Sequence, residues 1–225
     1  AVSQETTLPQ IDAEKTYFLW CSDSDGKKLR FAWLVNFKMP EMQVSVCNLE
    51  PDMRLESESL ENVFVSYGAA KATDKIGEFL GKPIDGYIGS DDESFKTMIN
   101  YFGGLDITVP EQIEYRSEDF TVILVKGKQN MKGDTLFKYL RYLTTLGPRG
   151  EQLRSTALLE ILDRIFKPEN LEKRGRYFSK ISNALETDLT IVDFSSAEEG
   201  IKVLMQNGFK GRRIAESPQE LIEED

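Results

Sequence analysis

Tyr101-Phe102-Gly103-Gly104-Leu105-Asp106-Ile107-Thr108-Val109-Pro110 holds the end of one element, a turn and a complete second element in a few residues. Upstream, Phe95, Met98, Ile99 and Phe102 recur at three- and four-residue spacing and draw one apolar helical face. Asp91 or Asp92 caps the start of that helix, because a short side-chain oxygen accepts from the free N–H groups of the first turn. Gly103 and Gly104 stop it, since glycine enters the left-handed conformation without a Cβ clash. Leu105, Ile107 and Val109 then alternate as a half-buried strand, and Pro110 closes it.

On the N-terminal side, Ile84-Asp85-Gly86-Tyr87 enters the helix from a strand. On the other side, Glu111 to Asp119 is polar and reads as a surface loop, and Phe120 to Val125 as a strand. Lys126-Gly127 turns the chain into a helix from about Lys132 to Leu143. Earlier, Thr16–Cys21, Leu29–Lys38 and Gln43–Leu49 are rich in aromatic and β-branched residues and read as strands, the last two joined through Met39-Pro40-Glu41. Asn62–Gly68 reads as a connector and Ala69–Leu80 as a helix. After Leu143 come three more helical patterns: Glu151–Phe166, Leu171–Leu185, and a shorter one from Ser195 to a stop at Asn207-Gly208. Strands interleaved with helices predict a single α/β domain, an α-β-α sandwich with a mixed central sheet. Its expected extent is 15–215, between a flexible lead-in over 1–14 and a loose acidic tail over 216–225.

The chain of 225 residues has no histidine. That removes the usual neutral-pH general base, the histidine-paired nucleophiles and histidine zinc sites, and leaves carboxylates, Arg, Lys, hydroxyls or a metal. A net charge of -10 argues against a nucleic-acid-binding surface. No apolar run approaches the ~20 residues that span a bilayer. Cys21 and Cys47 have no zinc or redox spacing; they are either inert core thiols or a disulfide between neighbouring strands. No Gly-rich phosphate loop or nucleophile motif supports a cytosolic α/β enzyme.

Four segments in series carry a resemblance. Ile84-Asp85-Gly86-Tyr87, Gly103 to Pro110, Lys126-Gly127-Lys128-Gln129-Asn130-Met131-Lys132-Gly133-Asp134-Thr135-Leu136, and Tyr139-Leu140-Arg141-Tyr142 resemble the LytR-CpsA-Psr family in order and spacing. The resemblance implies an extracytoplasmic domain, tethered in Gram-positive bacteria by an N-terminal membrane anchor that would precede this chain. It implies transfer of glycopolymers from a polyprenyl-pyrophosphate carrier to the cell wall. The lipid would lie in an apolar tunnel and arginines would hold the pyrophosphate, with magnesium. Guanidinium–phosphate contacts can stabilise a phosphoryl transition state by position and charge.

Carried over residue by residue, the pyrophosphate ligands are Arg30, Arg141 and Arg149, with Arg54 a further candidate after a small register shift. Arg30 and Arg141 have the alternative reading of solvated surface cations, while Arg149 stands before a helix whose N-terminus favours anions and reads as part of an anion site. Asp52 is either a turn residue or a magnesium ligand. The departures are an Ala at 32 where the family has an acid, Glu50 where it has an Arg, and Leu143 in place of a second Arg. The expectation is therefore a domain that binds a polyprenyl-phosphate lipid or lipid-linked glycan through a degraded active site. The alternative is a non-catalytic envelope interaction module with a closed pocket.

Overall fold

In a computed structural model, which describes residues 13–222, the centre is one six-stranded sheet. Three long strands make its middle: β1 (Ala13–Ser22), β2 (Leu29–Met39) and β3 (Gln43–Asn48), paired antiparallel. Two short strands, β4 (Arg54–Leu55) and β5 (Glu58–Ser59), lead into helix α1 (Leu60–Leu80). β6 (Gly86–Asp91) then pairs parallel with β1.

The decisive stretch folds as its pattern predicts. Asp91 caps α2 (Asp92–Tyr101), its carboxylate accepting from the Ser94 N–H at 2.7 Å. Gly103 and Gly104 stand at φ +86° and +84°, and β7 (Leu105–Val109) follows with Leu105, Ile107 and Val109 buried. β8 (Ile113–Arg116) and β9 (Thr121–Leu124) form a hairpin, and β10 (Gly127–Met131) returns to pair with β7. α3 (Gly133–Leu143) is locked to α2 where the Asn100 carboxamide oxygen accepts from the Gly133 N–H at 2.9 Å. α4 (Pro148–Ile165), α5 (Arg174–Ala184), β11 (Glu186–Thr187), α6 (Ile191–Asn207), β12 (Gly211–Ile214) and α7 (Pro218–Ile222) complete the chain. The sheet order β11-β6-β1-β2-β3-β12 mixes parallel and antiparallel pairs.

Alternation along β2 assigns its side chains to two cores. Leu29, Ala32 and Leu34 face α1 and α7, packed with Phe18, Leu60, Phe64, Ala72 and Leu221. Phe31, Trp33 and Val35 face the opposite way, toward α2, α3, α4 and α6. The pattern is interrupted once. Cys21 pairs with Phe31 but Ser22 with Leu29, so Arg30 is a surplus residue in a β-bulge.

Several sequence readings need correction. Asn62–Gly68 is helical, part of α1, which is interrupted only where Gly68 adopts φ +84°. The loop expected over Glu111–Asp119 contains β8, whose Glu114 and Arg116 face solvent while Ile113 is buried. The helix expected from Leu171 begins as a 3-10 turn over Pro168–Lys173 and becomes α-helical at Arg174. Residues 1–12 of the expected lead-in lie outside the described residues, while Ala13 and Glu14 begin β1. Within the expected loose tail, α7 seats Leu221 at 1% exposure.

Cys21 and Cys47 are free and buried in the two different cores, so they form no disulfide. Burial pushes each thiol up to about 12, which leaves both unreactive at neutral pH.

Candidate functional site

Two cavities lie on the α2–α6 side of the sheet. The larger, of about 600 Å³, is apolar and lies against β1, β2 and β6. Leu19, Trp33, Val35 and Phe37 form its floor, and Leu162, Phe178 and Phe194 are among its covering residues. Helices α4, α5 and α6 supply that cover, with Phe178 of α5 stacked on Phe194 of α6 at 4.5 Å between ring centroids.

The smaller cavity, of about 320 Å³, opens near the Ser22–Leu29 end of the β1–β2 pair. Lys28, Arg30, Arg141 and Arg154 bring it positive charge. The bulge turns Arg30 toward it, α3 presents Arg141, and the second turn of α4 presents Arg154. Phe31 lines this cavity and packs on Trp33, which lines the other, with ring centroids 5.8 Å apart. The basic and apolar spaces are thus neighbours across an aromatic wall that Phe95 and Phe137 extend.

Each arginine has a carboxylate. Arg154 is 3% exposed and its Nε donates to the Asn48 side chain at 3.0 Å, while a terminal nitrogen donates to Glu50. Burial lowers the Arg154 pKa against the opposing pull of Glu50 and Glu151. Arg30 Nε lies 3.5 Å from Asp92 Oδ1; the two buried atoms have no hydrogen-bond partner. Burial raises the Asp92 carboxyl above its ordinary range, with Arg30 pulling the other way. Arg141 donates to Asp119 at 3.1 Å, and its guanidinium lies 4.3 Å from the Phe120 ring centroid.

The structure brings together two of the four arginines singled out in the sequence. Arg30 and Arg141 line the basic cavity; Arg149 does not, and pairs with Glu111 at 2.7 Å with both side chains more than half exposed. Arg54, exposed on β4, donates to the Ser57 carbonyl. Asp52 is exposed in a turn and is not among the cavity residues. Among the described residues no group of three or more Asp, Glu, Cys or His side chains is placed to hold a metal.

Ala32 is fully buried on the α1 side, among Phe18 and Leu34. An acid there would point away from the basic cavity, so the residue at 32 carries no information about chemistry in it. Arg154 is the residue the sequence reading missed. Its signal was periodicity: it falls three and four residues before Ala157 and Leu158, on the buried face of α4, where an arginine requires a partner.

The sequence profile described as the LytR_cpsA_psr family matches residues 42–221. The polyisoprenyl-teichoic acid–peptidoglycan teichoic acid transferase TagV of Bacillus subtilis (strain 168) is 26% identical over 153 residues, 65% of this chain and 38% of its own length. TagU of Enterococcus faecalis, which carries the same transferase description, is 22% identical over 76% of this chain and 60% of its own length. The chain thus spans less than two thirds of either relative's length. The crystal structure of B. subtilis TagV superposes with a TM-score of 0.72 at 19% identity, over 92% of this chain and 86% of that one. A LytR-CPS2A-psr family protein, TagT, with bound octaprenyl pyrophosphate lipid gives 0.66 at 18% identity over 92% and 78%.

Proposed function

The chain belongs to the LytR-CpsA-Psr family, and on that premise we propose that it binds a polyprenyl-pyrophosphate-linked envelope glycan at the outer face of a Gram-positive membrane. One observation carries the reading: an apolar cavity of about 600 Å³ adjoins a pocket in which Arg30, Arg141 and Arg154 converge. The prenyl chain fits the first by apolar burial. The diphosphate fits the second through charged hydrogen bonds from guanidinium groups, each contributing about 1.5–3 kcal/mol. The chemistry open to such a complex is phosphoryl transfer. An acceptor hydroxyl attacks the glycan-side phosphorus, the bond to the bridging oxygen breaks, and polyprenyl phosphate leaves as the anion while the hydroxyl proton passes to water. The arginines would hold the charge that develops on the leaving phosphate.

The acids present do not fit a magnesium ion held by protein carboxylates. Asp52 lies outside the cavity, Glu50 and Asp119 each already engage an arginine, and Asp92 faces Arg30 with burial disfavouring the charged carboxylate that a metal needs. The proposed clamp is therefore made of guanidinium groups alone. Among the described residues no helix is long and apolar enough to cross a membrane.

Isothermal titration with geranyl pyrophosphate tests the reading. We expect saturable binding in the presence of a chelator, weakened at least about tenfold by Arg141→Ala, the loss of one charged hydrogen bond. No heat from the intact protein would remove the lipid reading. It would favour the rival reading of a non-catalytic interaction module, which the open apolar cavity speaks against.

A further inference from the structure

The three arginines of the basic cavity are not equally available. The carboxylate facing Arg154 is fixed: Glu50 also accepts from the Asn48 amide at 2.6 Å, beside an arginine that is 3% exposed. The one facing Arg30 is enclosed, since the Asp92 side chain is 17% exposed at the start of α2. Asp119 differs. Its side chain is 73% exposed, and it stands on the tip of the β8–β9 hairpin, Ser117 to Phe120. The tip is closed on itself, the Ser117 N–H donating to the Phe120 carbonyl at 3.0 Å and the Phe120 N–H to the Ser117 hydroxyl at 3.2 Å. Its base is anchored through Ile113, Val122 and Leu124 in the core. Phe120 holds the tip down by packing on Tyr115, with ring centroids 5.5 Å apart, while the exposed Asp119 side chain can rotate off Arg141 without disturbing that contact.

Ser117, Asp119 and Phe120 all line the basic cavity, so the tip is one of its walls. Asp119 offers Arg141 an oxygen at 3.1 Å, as a phosphate would, and Phe120 covers the guanidinium from its other side. Because it is tethered, this carboxylate is present at the site at a high effective concentration. We propose that Asp119 is an internal competitor for the anion site: it occupies Arg141 in the free protein and must be displaced before a ligand phosphate can take its place. The Asp119 side chain then acts as a gate that a diphosphate opens. This rests on the proposed anion pocket and adds its regulation.

The test compares Asp119→Asn with the intact protein and with Glu118→Gln, an exposed neighbour that removes the same charge without lining the cavity. Geranyl pyrophosphate and inorganic pyrophosphate are titrated separately. Asp119→Asn is expected to bind both about fivefold more tightly, the scale of an ion pair with one exposed partner, and Glu118→Gln to change neither by more than about twofold. Equal affinities for Asp119→Asn and the intact protein overturn the gate and leave the lipid reading standing. Weaker binding overturns it too, since Asp119 would then be assisting the ligand. Tighter inorganic pyrophosphate with no geranyl pyrophosphate binding upholds the gate and removes the lipid reading. No binding of either probe by any variant removes both.

Discussion

The two faces of the central sheet are built from the same strands and differ in how completely they are covered. On one face, α1 and α7 close over Leu29, Ala32 and Leu34 in a well-filled core. On the other, α4, α5 and α6 stand off from Trp33, Val35 and Phe37 and leave about 600 Å³. Close packing is the norm for protein interiors, and a space of this size forfeits contact energy along its lining. The contrast teaches a division of labour. One face supplies stability, and the other gives some of it up to an open apolar space, the one the proposed lipid would fill.

The largest effect is expected at Ala32, on the filled face. The acid that the family pattern has there would add no group to the basic pocket. Ala32→Asp would bury a carboxylate without a partner in the filled core, and the expected cost is at least about 4 kcal/mol, read from urea unfolding. A fully stable Ala32→Asp protein would show that the two faces have been assigned wrongly.

A matched pair of truncations sharpens the contrast. Leu34→Ala on the filled face should cost about 3 kcal/mol, because it removes apolar burial and leaves a new void. Ile181→Ala, on the cavity wall, should cost about 1 kcal/mol, since its neighbours already face open space. Similar losses at the two sites would mean that the cavity closes in solution.

The smallest effect lies at the junction of α4 with the basic pocket. Burial raises the Glu151 carboxyl above its ordinary range, Glu50 adds to the rise, and Arg154 opposes it. A carboxyl with a raised folded-state pKa holds its proton more tightly in the folded protein than in the unfolded chain. Its contribution to stability therefore grows as pH falls through that raised value, and is absent at neutral pH. Glu151→Gln should be slightly more stable than the intact protein at pH 7, with the difference shrinking toward pH 5 in urea titrations at the two values. A difference that widens on acidification would contradict the assignment.

The stretch Tyr101–Pro110 was legible because local chemistry decides it: a helical apolar stripe, two glycines at positive φ and a strict alternation. What escaped the sequence was decided by neighbours. β12 carries Arg212 and Arg213, two adjacent charges that mask a strand in the bare sequence. It is a strand because β3 offers it a free edge, Asp163 binds Arg212 bidentately and Glu220 binds Arg213. β8 alternates polar and apolar residues too briefly to be distinguished from a loop. The site was half readable for the same reason. Arg30 and Arg141 followed from the family resemblance, whereas Arg149 has its nearest acid on the surface and Arg154 is defined by partners more than a hundred residues away in sequence.

The bulge beside Ser22 has a consequence for how this surface could have arisen. In an uninterrupted ladder Arg30 would share a side with Ala32 and Leu34, where a guanidinium would find only hydrocarbon. One surplus residue reverses its direction, so the pocket owes a cation to parity as much as to composition. A single-codon insertion or deletion between Cys21 and Phe31 would therefore exchange a ligand handle for a misplaced charge, leaving the rest of the sequence untouched.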